Sequence, residues 1–405
     1  MKLVLKIKSV PELLALVALG IFLIVSILDV TFYAQYFPRI IYKLAIFFSL
    51  FLLFIKESFK RKYDYRSFIG LCVTFLIYLI VGRINGFSSN IATGILFIYA
   101  LRDISFRSVA KTSLIISVCL LSFIIISAKI GVIPNYLEIS GARVRSYLGF
   151  RYALFPSILL MNIVAILFYL KQNRIHFWQW LLLALSIYWV YNQTDSRLTF
   201  YSSCILLIFN LLIKWIPDFS SKLGSVFNIF KLTFIVNAIA SFWISSTYLN
   251  STNSFANNFF YKLNYILGGR IYLANRSLQL YGFGLSGRPV DWHGNALTVE
   301  GVRNYQTYLY VDNLYIQILQ KDGLLILVLM VSLLTLTLFK VIKRRQWVLA
   351  LILILMSFHS MIDDLNLYLH YNIFWILVGS LIYPDYQFSD ESNEELGYAP
   401  FEKEL

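Results

Sequence analysis

Apolar stretches of about 20 residues recur along this chain from Val10 to Leu381, and they constrain its fold more than any other feature. A helix of that length crosses the hydrocarbon core of a bilayer, which is about 30 Å thick. Only 14% of the 405 residues are charged and 59% are hydrophobic, whereas soluble domains carry about 25% charged residues. The sequence therefore predicts an all-α polytopic membrane protein. It excludes a soluble globular enzyme, a disordered regulator and a disulfide-stapled secreted domain.

Polar breaks between the apolar stretches divide the chain into about twelve predicted transmembrane helices. They form a single transmembrane domain over residues 1–383, and an acidic tail follows over 384–405. The predicted spans are 10–30, 40–55, 67–82, 89–101, 112–128, 153–170, 178–192, 197–213, 226–248, 322–340, 347–362 and 371–383.

Basic residues occur in short clusters that all fall on one side of this twelve-span arrangement. The clusters are Lys2, Lys6 and Lys8; Lys56, Lys60, Arg61, Lys62 and Arg66; Arg102, Arg107 and Lys111; Lys171 and Arg174; Lys214 and Lys222; and Lys340, Lys343, Arg344 and Arg345. The positive-inside rule makes that side cytoplasmic, which predicts a multi-pass membrane protein with both termini inside. The net charge of +14 therefore reflects membrane-facing loops and not nucleic-acid binding.

Two segments are much longer than the other connections, and both fall on the predicted outer side. They cover residues 129–152 and 249–321. Long loops without structure are uncommon unless they are functional, so the active residues are expected there. Within the second loop, the spacing of apolar residues over Val311–Gln320 predicts a short helix lying along the membrane.

Arginine replaces lysine as the main cation on the outer side. The outer arginines are Arg39, Arg83, Arg143, Arg145, Arg151, Arg197, Arg270, Arg276, Arg288 and Arg303. A guanidinium presents a planar fork of donors that meets phosphate oxygens in pairs, so this cluster favours an anionic phosphate ligand. The alternative is that the arginines anchor lipid headgroups or pair with the acidic residues Glu138, Asp195, Asp291, Glu300 and Asp312.

His359 and Asp363 are four residues apart on one helix face near the outer end of the eleventh span. A histidine–carboxylate pair at membrane depth is costly, which favours a functional role, and a structural polar pair between helices is the alternative. The adjacent Asp363 and Asp364 point about 100° apart on a helix and have no further ligands beside them. We therefore expect no metal site, no cofactor and metal-independent chemistry.

Cys72, Cys119 and Cys204 lie within apolar runs and are interpreted as packing residues.

Several motifs, taken in order, resemble the Wzy-type polysaccharide polymerases and the related O-antigen ligases. Gly269-Arg270 opens the long loop, a Gly282-x-Gly284 turn follows, and Asp312-Asn313-x-Tyr315 precedes a glycine at the next span. Upstream, Arg145-Ser-Tyr-Leu-Gly-Phe resembles the family's R-x-x-L-G-F, and Asp195-Ser-Arg197 resembles its S-R before a span. The resemblance covers nearly the whole chain.

The resemblance implies glycosyl transfer at the outer face of a bacterial cytoplasmic membrane, in which a glycan on a polyprenyl diphosphate passes to another lipid-linked repeat unit. On this basis Arg145, Arg197, Arg270 and Arg276 are expected to hold the lipid diphosphate, and Gly269, Gly282, Gly284, Asn313 and Tyr315 to shape the substrate loop. The acceptor hydroxyl needs a base; Asp312 is the first choice because it occupies the motif's H/D position, and His359 with Asp363 is the second. A flippase and a chain-length regulator are the expected protein partners.

Two departures from the family pattern bear on the branch. Ligases carry histidine where this chain has Asp312, and Arg151 replaces the proline that usually follows L-G-F. Both changes favour a polymerase over ligase-type glycan transfer. A lipid-linked oligosaccharide flippase is the main alternative of another class, because it is also large, apolar and basic. A partner-recruiting membrane subunit is a third, disfavoured by the polar residues within the spans.

Overall fold

The computed structural model describes residues 9–59, 64–140, 143–216, 219–248, 254–303 and 306–388. Lys2, Lys6, Lys8, Lys60, Arg61, Lys62 and most of the predicted acidic tail lie outside these ranges. The described part of the chain is mostly helical. Its α-helices are α1 (Val10–Asp29), α2 (Arg39–Ser58), α3 (Tyr65–Asn85), α4 (Asn90–Ala100), α5 (Phe106–Lys129), α6 (Leu154–Lys171), α7 (Phe177–Thr194), α8 (Arg197–Trp215), α9 (Phe219–Ile229), α10 (Thr233–Thr247), α11 (Ser254–Ile266), α12 (Arg270–Tyr281), α13 (Leu314–Lys321), α14 (Leu324–Lys343), α15 (Trp347–His359) and α16 (Pro384–Gln387).

Seven helical segments within the described ranges are long and apolar enough to cross a membrane. They are Val10–Asp29, Tyr65–Asn85, Phe106–Lys129, Leu154–Lys171, Arg197–Trp215, Val226–Thr247 and Leu324–Lys343. Helices also occupy the other predicted spans, but α4 and α15 are shorter apolar helices, and the last span is a nine-residue 3-10 helix over Ile373–Leu381. The protein is therefore a helical membrane protein, and the count of twelve spans stays a prediction.

Helix α6 is the centre of the bundle. Sixteen of its eighteen residues are buried, because apolar side chains cover it on all sides, and it packs against α5, α7, α8 and α15. Pro156 lies in its first turn, where the missing backbone N–H costs the helix no hydrogen bond. In contrast α3 is mostly exposed, with Phe75 and Leu76 each 55% exposed, as expected for a helix that faces lipid.

The bundle has two chemically different ends. At one, which we call the loop end, α1 and α5 end and α6 begins; at the other, the basic end, α2 and α14 end with lysines. The basic end is held by buried charge: the fully buried Arg102 donates to both carboxylate oxygens of Glu57 at 3.0 and 2.8 Å, and Lys56 donates to the carbonyl of Ala100 at 2.7 Å. These bidentate bonds satisfy charges that burial would otherwise make costly.

Both long segments lie at the loop end, and each carries structure of its own. The first contains a hairpin of two antiparallel strands, β1 (Leu137–Ser140) and β2 (Arg143–Ser146), an element that the all-α prediction did not include. The second contains α11, α12 and α13. The segments touch each other where Arg303 pairs with Glu138 and where Leu297 and Arg151 exchange hydrogen bonds.

Helix α13 corresponds to the predicted helix over Val311–Gln320, but its environment differs from the prediction. Every residue from Leu314 to Gln320 is buried, so α13 packs inside the protein and does not lie along a membrane surface. Its polar residues explain the difference. Gln320 donates to the carbonyls of Ser277 and Gly282, both at 3.0 Å, and Tyr315 donates to the carbonyl of Ser357 at 3.0 Å.

Candidate active site

A cavity of about 260 Å³ opens at the loop end between the two long segments and the end of α15. It is lined by residues from five parts of the chain: Asp29, Val30, Asn90, Tyr152, Leu154, Phe155, Gly294, Asn295, Ala296, Tyr308, Tyr310, Asp312, Asp364, Leu365, Tyr368, His370 and Tyr371. Carboxylates and tyrosines dominate its polar surface. A concave site with a few convergent polar groups is the usual form of a ligand site.

Asp312 lines this cavity and forms an ion pair with Arg270. Asp312 directly precedes Asn313, which caps α13, and Arg270 is the first residue of α12. The Arg270 Nε donates to the Asp312 Oδ2 at 3.0 Å. Gly269 precedes Arg270 with a φ of +84°, a backbone conformation that favours glycine and turns the chain into α12. The pair thus joins two elements that the sequence motif separates by about 40 residues.

The Asp312 carboxyl is more basic than an ordinary aspartate. Burial raises its pKa, while the Arg270 guanidinium opposes that rise. Arg145 also acts on it in the lowering direction, and the nearby carboxylate of Asp363 acts in the raising direction. A carboxylate with a raised pKa that lines a cavity is suited to accept a proton from a ligand hydroxyl.

Tyr310 and Asp364 form a second polar pair on the cavity wall. The Tyr310 hydroxyl donates to the Asp364 Oδ2 at 2.7 Å. Burial, followed by the charges of Asp363 and Asp312, raises the pKa of Asp364. Asp363 and not Asp364 was predicted as a catalytic residue, yet it is Asp364 that lines the cavity.

His359 and Asp363 lie behind the cavity lining and are 2% and 1% exposed. The His359 Nε2 lies 3.3 Å from the Asp363 Oδ2, and its Nδ1 lies 2.9 Å from the Ser202 hydroxyl of α8. Asp363 also accepts from the backbone N–H of Leu365 at 2.8 Å. The pair therefore connects α8 to the end of α15. This contact corresponds to the alternative prediction, a structural polar pair between helices.

Arg145, which belongs to strand β2 of the hairpin, lies close to Asp312 and Tyr152; we call these residues, with Arg270, the Asp312 cluster. Its guanidinium carbon lies 5.6 Å from the ring centre of Tyr152, which lines the cavity, and its Nε donates to the carbonyl of Thr194 at 2.9 Å. The buried carboxylate of Glu138 lies 3.6 Å from Arg145 and also pairs with Arg303. The hairpin register, which places Glu138 opposite Arg145, fixes this arrangement.

The other two predicted diphosphate ligands are on exposed surface. The Arg197 side chain is 65% exposed and pairs with Asp195, which also pairs with Arg143. Arg276 lies on the exposed face of α12. Among the four predicted arginines, the structure thus brings Arg145 and Arg270 to the Asp312 cluster and leaves Arg197 and Arg276 outside it. The alternative of pairing with acidic residues is realised at Asp195, Glu138 and Asp312.

The predicted substrate-loop residues hold the backbone around the site. Asn313 accepts from the N–H of Ile316 at 3.1 Å and donates to the carbonyl of Met361 at 2.7 Å, so it ties α13 to the end of α15. Gly282 ends α12, and the carbonyl of Gly284 accepts from the N–H of Leu324 at 2.9 Å. These contacts connect α12 and α13 to α14. Within the Asp312-Asn313-x-Tyr315 motif, only Asp312 lines the cavity.

Two further cavity residues carry buried polar atoms that have no hydrogen-bond partner among the described residues. They are both ring nitrogens of His370 and the hydroxyl of Tyr371, each residue being 1% exposed. Burial lowers the pKa of His370 to about 3, so its neutral ring offers one donor and one acceptor. Buried polar groups are nearly always hydrogen-bonded. These atoms are therefore suited to bind the hydroxyl groups of a ligand, or water.

The cavity tyrosines were missed from the sequence, although a signal for them exists. Tyr308, Tyr310 and Asp312 alternate along an extended stretch, and Leu309 between them pairs its backbone with His293. Alternate residues of extended chain point the same way, so the pattern Tyr-x-Tyr-x-Asp predicts one polar face. Tyr152 and His370 carry no such pattern, because only the folding of distant segments brings them here.

No family model, curated protein or solved structure matches this chain. Within the described ranges, no group of three or more His, Cys, Asp or Glu side chains is arranged to hold a metal ion. Expectations about metals and cofactors stay predictions.

Proposed function

We propose that this chain is a polysaccharide polymerase that transfers a glycan from a polyprenyl diphosphate onto a lipid-linked repeat unit. The observation that carries the proposal is the cavity at the loop end, which is lined by Asp312, His370 and Tyr371. Arg270 pairs with Asp312, and the buried polar atoms of His370 and Tyr371 have no partner among the described residues. Motif resemblance adds to it, because Asp312 and Arg270 come from two motifs shared with Wzy-type polymerases. Membrane helices beneath the cavity supply the apolar surroundings that a lipid-linked substrate needs.

Asp312 acts as the base in the proposed reaction. It takes the proton of the acceptor hydroxyl, the freed oxygen attacks the anomeric carbon of the donor sugar, and the bond from that carbon to the diphosphate oxygen breaks. Negative charge then builds up on the departing lipid diphosphate. Arg270 and Arg145 stabilise that charge, and each charge-assisted hydrogen bond contributes about 1.5–3 kcal/mol.

The remaining polar surface of the cavity suits a sugar. His370 and Tyr371 offer donors and acceptors for hydroxyl groups, and the rings of Tyr152 and Phe155 provide apolar area beside them. Sugars combine hydroxyl groups with apolar faces. Hydrogen-bonding groups together with aromatic rings can therefore orient a sugar without any charged contact.

The proposed membrane arrangement has twelve spans, the loop end outside and both termini in the cytoplasm. It follows from the lysine-rich clusters, of which Lys56, Lys214, Lys340 and Lys343 lie at the basic end. In this proposal a flippase delivers the substrates to the outer face, and a chain-length regulator sets the length of the polymer. These two proteins are the proposed partners.

The decisive experiment compares lipid-linked glycans extracted from cells with and without the protein. We expect a ladder of long glycans with the protein, and single lipid-linked repeats at the outer leaflet without it. If repeats accumulate at the cytoplasmic leaflet instead, the protein is a flippase and the proposal fails. If long glycans persist on the lipid but no longer reach their final acceptor, it is a ligase.

A further inference from the structure

A second, larger concavity lies on the side of the bundle and is separate from the Asp312 cavity. It is a groove of about 740 Å³ whose lining is almost entirely apolar. Helix α3 forms one wall and α14 the other; α4 and the 3-10 helix over Ile373–Leu381 form the floor between them. We call it the α3–α14 groove. Its volume is in the range of dedicated ligand sites.

The groove follows the length of both walls. The α14 residues that line it, Ile326, Met330, Leu333, Leu334, Leu336, Phe339, Lys340 and Lys343, cover 17 residue steps, or about 26 Å along a helix. The α3 residues Arg66, Ile69, Gly70, Val73, Thr74, Ile77 and Val81 repeat every three or four positions and form one face. The slot therefore extends through most of a hydrocarbon core about 30 Å thick.

The two ends of the groove carry opposite charge. Arg66, Lys340 and Lys343 line it at the basic end, and Asp322 lines it at the loop end, where its carboxylate accepts from Asn85 at 2.8 Å. Lys340 donates to the carbonyl of Ser380 at 2.6 Å, which holds this ammonium at the end of the floor. No carboxylate is among the described residues that line the groove at this end, and Asp385, which lies near Lys340, is paired with Arg344. The basic end of the groove is thus positive overall.

We propose that the α3–α14 groove binds an anionic membrane phospholipid, with its acyl chains in the apolar slot and its phosphate at Arg66, Lys340 and Lys343. Charge complementarity selects this occupant. A lipid whose headgroup lies at the loop end would place its phosphate beside Asp322, so the diphosphate substrate of the Asp312 cavity does not fit this groove. By the positive-inside rule, the bound lipid belongs to the inner leaflet.

The test measures lipid binding by native mass spectrometry of the purified full-length protein, so it does not depend on the proposed enzymatic activity. Dioleoyl phosphatidylglycerol is compared with dioleoyl phosphatidylcholine, which has the same chains and no net charge. We expect phosphatidylglycerol to bind more tightly, and Arg66→Gln and Lys343→Gln each to weaken it about five-fold. Arg174→Gln, an exposed cation also predicted to be cytoplasmic, is the matched control and should change nothing.

A second pair of variants tests whether the chains lie in the slot. Val73→Trp fills the groove from α3 and should reduce binding, whereas Leu76→Trp on the exposed face of the same helix should not. If Val73→Trp does not fold, Ile77→Phe makes the same test with a smaller change. Equal binding of both lipids, unchanged binding in the charge variants, or displacement of phosphatidylglycerol by sn-glycerol 3-phosphate alone would each overturn the proposal.

Discussion

Asp312 is subject to two opposed influences that suit it to proton transfer. Burial favours its neutral form, and the Arg270 guanidinium, 3.0 Å away, favours the charged form. The result is a carboxyl group whose pKa is raised above its ordinary value, because burial outweighs the guanidinium. Asp363 lacks this access to the cavity, because its oxygens face His359 and the backbone of Leu365. Access to the cavity therefore separates Asp312 from Asp363 as a candidate base.

Asp312→Asn keeps the shape of the side chain and removes its basicity. If Asp312 is the base, we expect chain extension to fall by about 10²-fold or more while protein level is retained. Asp291→Asn is the matched control, since the Asp291 side chain is in the same long segment and 81% exposed. The measurement is the rate of glycan extension in membranes. Substantial activity in Asp312→Asn would remove it from the reaction.

Arg270→Lys tests whether the site needs a fork of donors or only a positive charge. We expect Arg270→Lys to lose at least about ten-fold in activity and to be nearly as impaired as Arg270→Ala. Arg276→Lys, on the exposed face of the same helix, tests the sequence prediction against the geometry. Equal damage at Arg276 would show that the exposed arginine also binds substrate, and full activity of Arg270→Lys would show that charge alone suffices.

The pH dependence of the reaction provides a separate test of the Asp312–Arg270 pair. A base works in its deprotonated form, so activity rises with pH as the carboxyl loses its proton. Because Arg270 opposes the rise in the pKa of Asp312, Arg270→Gln should raise that pKa and move the rising limb to higher pH. Initial rates are measured from about pH 4 to pH 9. Arg276→Gln is the control, and the rising part of its pH profile should not shift. A limb that moves to lower pH contradicts the assignment.

At the scale of elements, α13 connects the motif to the membrane helices. Asn313 caps α13 and also donates to the carbonyl of Met361 beyond α15, so one side chain fixes both the start of the helix and its position. Leu314 reinforces the contact through its N–H, which donates to the carbonyl of Ser360 at 2.9 Å. The position of Asp312 depends on this junction.

Asn313→Ala removes the cap and the bond to Met361 together, and we expect it to lower the free energy of unfolding by about 1–3 kcal/mol. Asn313→Asp retains an oxygen that accepts from the N–H of Ile316, so its free energy of unfolding should fall less than that of Asn313→Ala. Unfolding in a detergent titration measures the difference, and Gln279→Ala on the exposed face of α12 is the control. A stability in Asn313→Ala equal to that of the control would show that the junction does not depend on this side chain.

Much of the element order could be predicted because apolar length and spacing are local properties. Helices begin within a few residues of the predicted spans, as at Val10, Leu154 and Arg197. The environment of α13 could not be predicted, since its apolar spacing suits a membrane surface as well as a protein interior. The hairpin was missed as well, because four-residue strands give a weak pattern.

For the site, the sequence predicted Asp312 and Arg270 as separate candidates without predicting that they pair. Their contact joins α12 to the segment before α13 across an irregular stretch, and no local pattern encodes such a juxtaposition. The same reason explains why Arg276, about one and two-thirds turns after Arg270 on one helix, was an equally good candidate from sequence. No local pattern marks His370 and Tyr371 as site residues, because their burial depends on the whole bundle.

At the scale of the molecule, the two long segments form one wall around the cavity. Arg303 pairs with Glu138, and the backbones of Leu297 and Arg151 bond to each other, so residues far apart in sequence close the same space. Arg151 also donates to the carbonyl of Asp29 at 2.7 Å, which fastens this wall to α1. The loop end is therefore one structure, which predicts that both segments lie on the same side of the membrane.

Cysteine labelling tests which side of the membrane that is. In a chain with Cys72, Cys119 and Cys204 replaced by alanine, new cysteines are placed at Ile139 and Gln279 of the loop end and at Arg174, an exposed predicted-cytoplasmic position. Because lysine-rich loops remain in the cytoplasm, a membrane-impermeant maleimide should label Ile139→Cys and Gln279→Cys in intact cells, and Arg174→Cys only after lysis. The reverse pattern would place the Asp312 cavity in the cytoplasm, where extension of outer-leaflet glycans could not occur. Labelling of only one loop-end position in intact cells would contradict the shared wall itself.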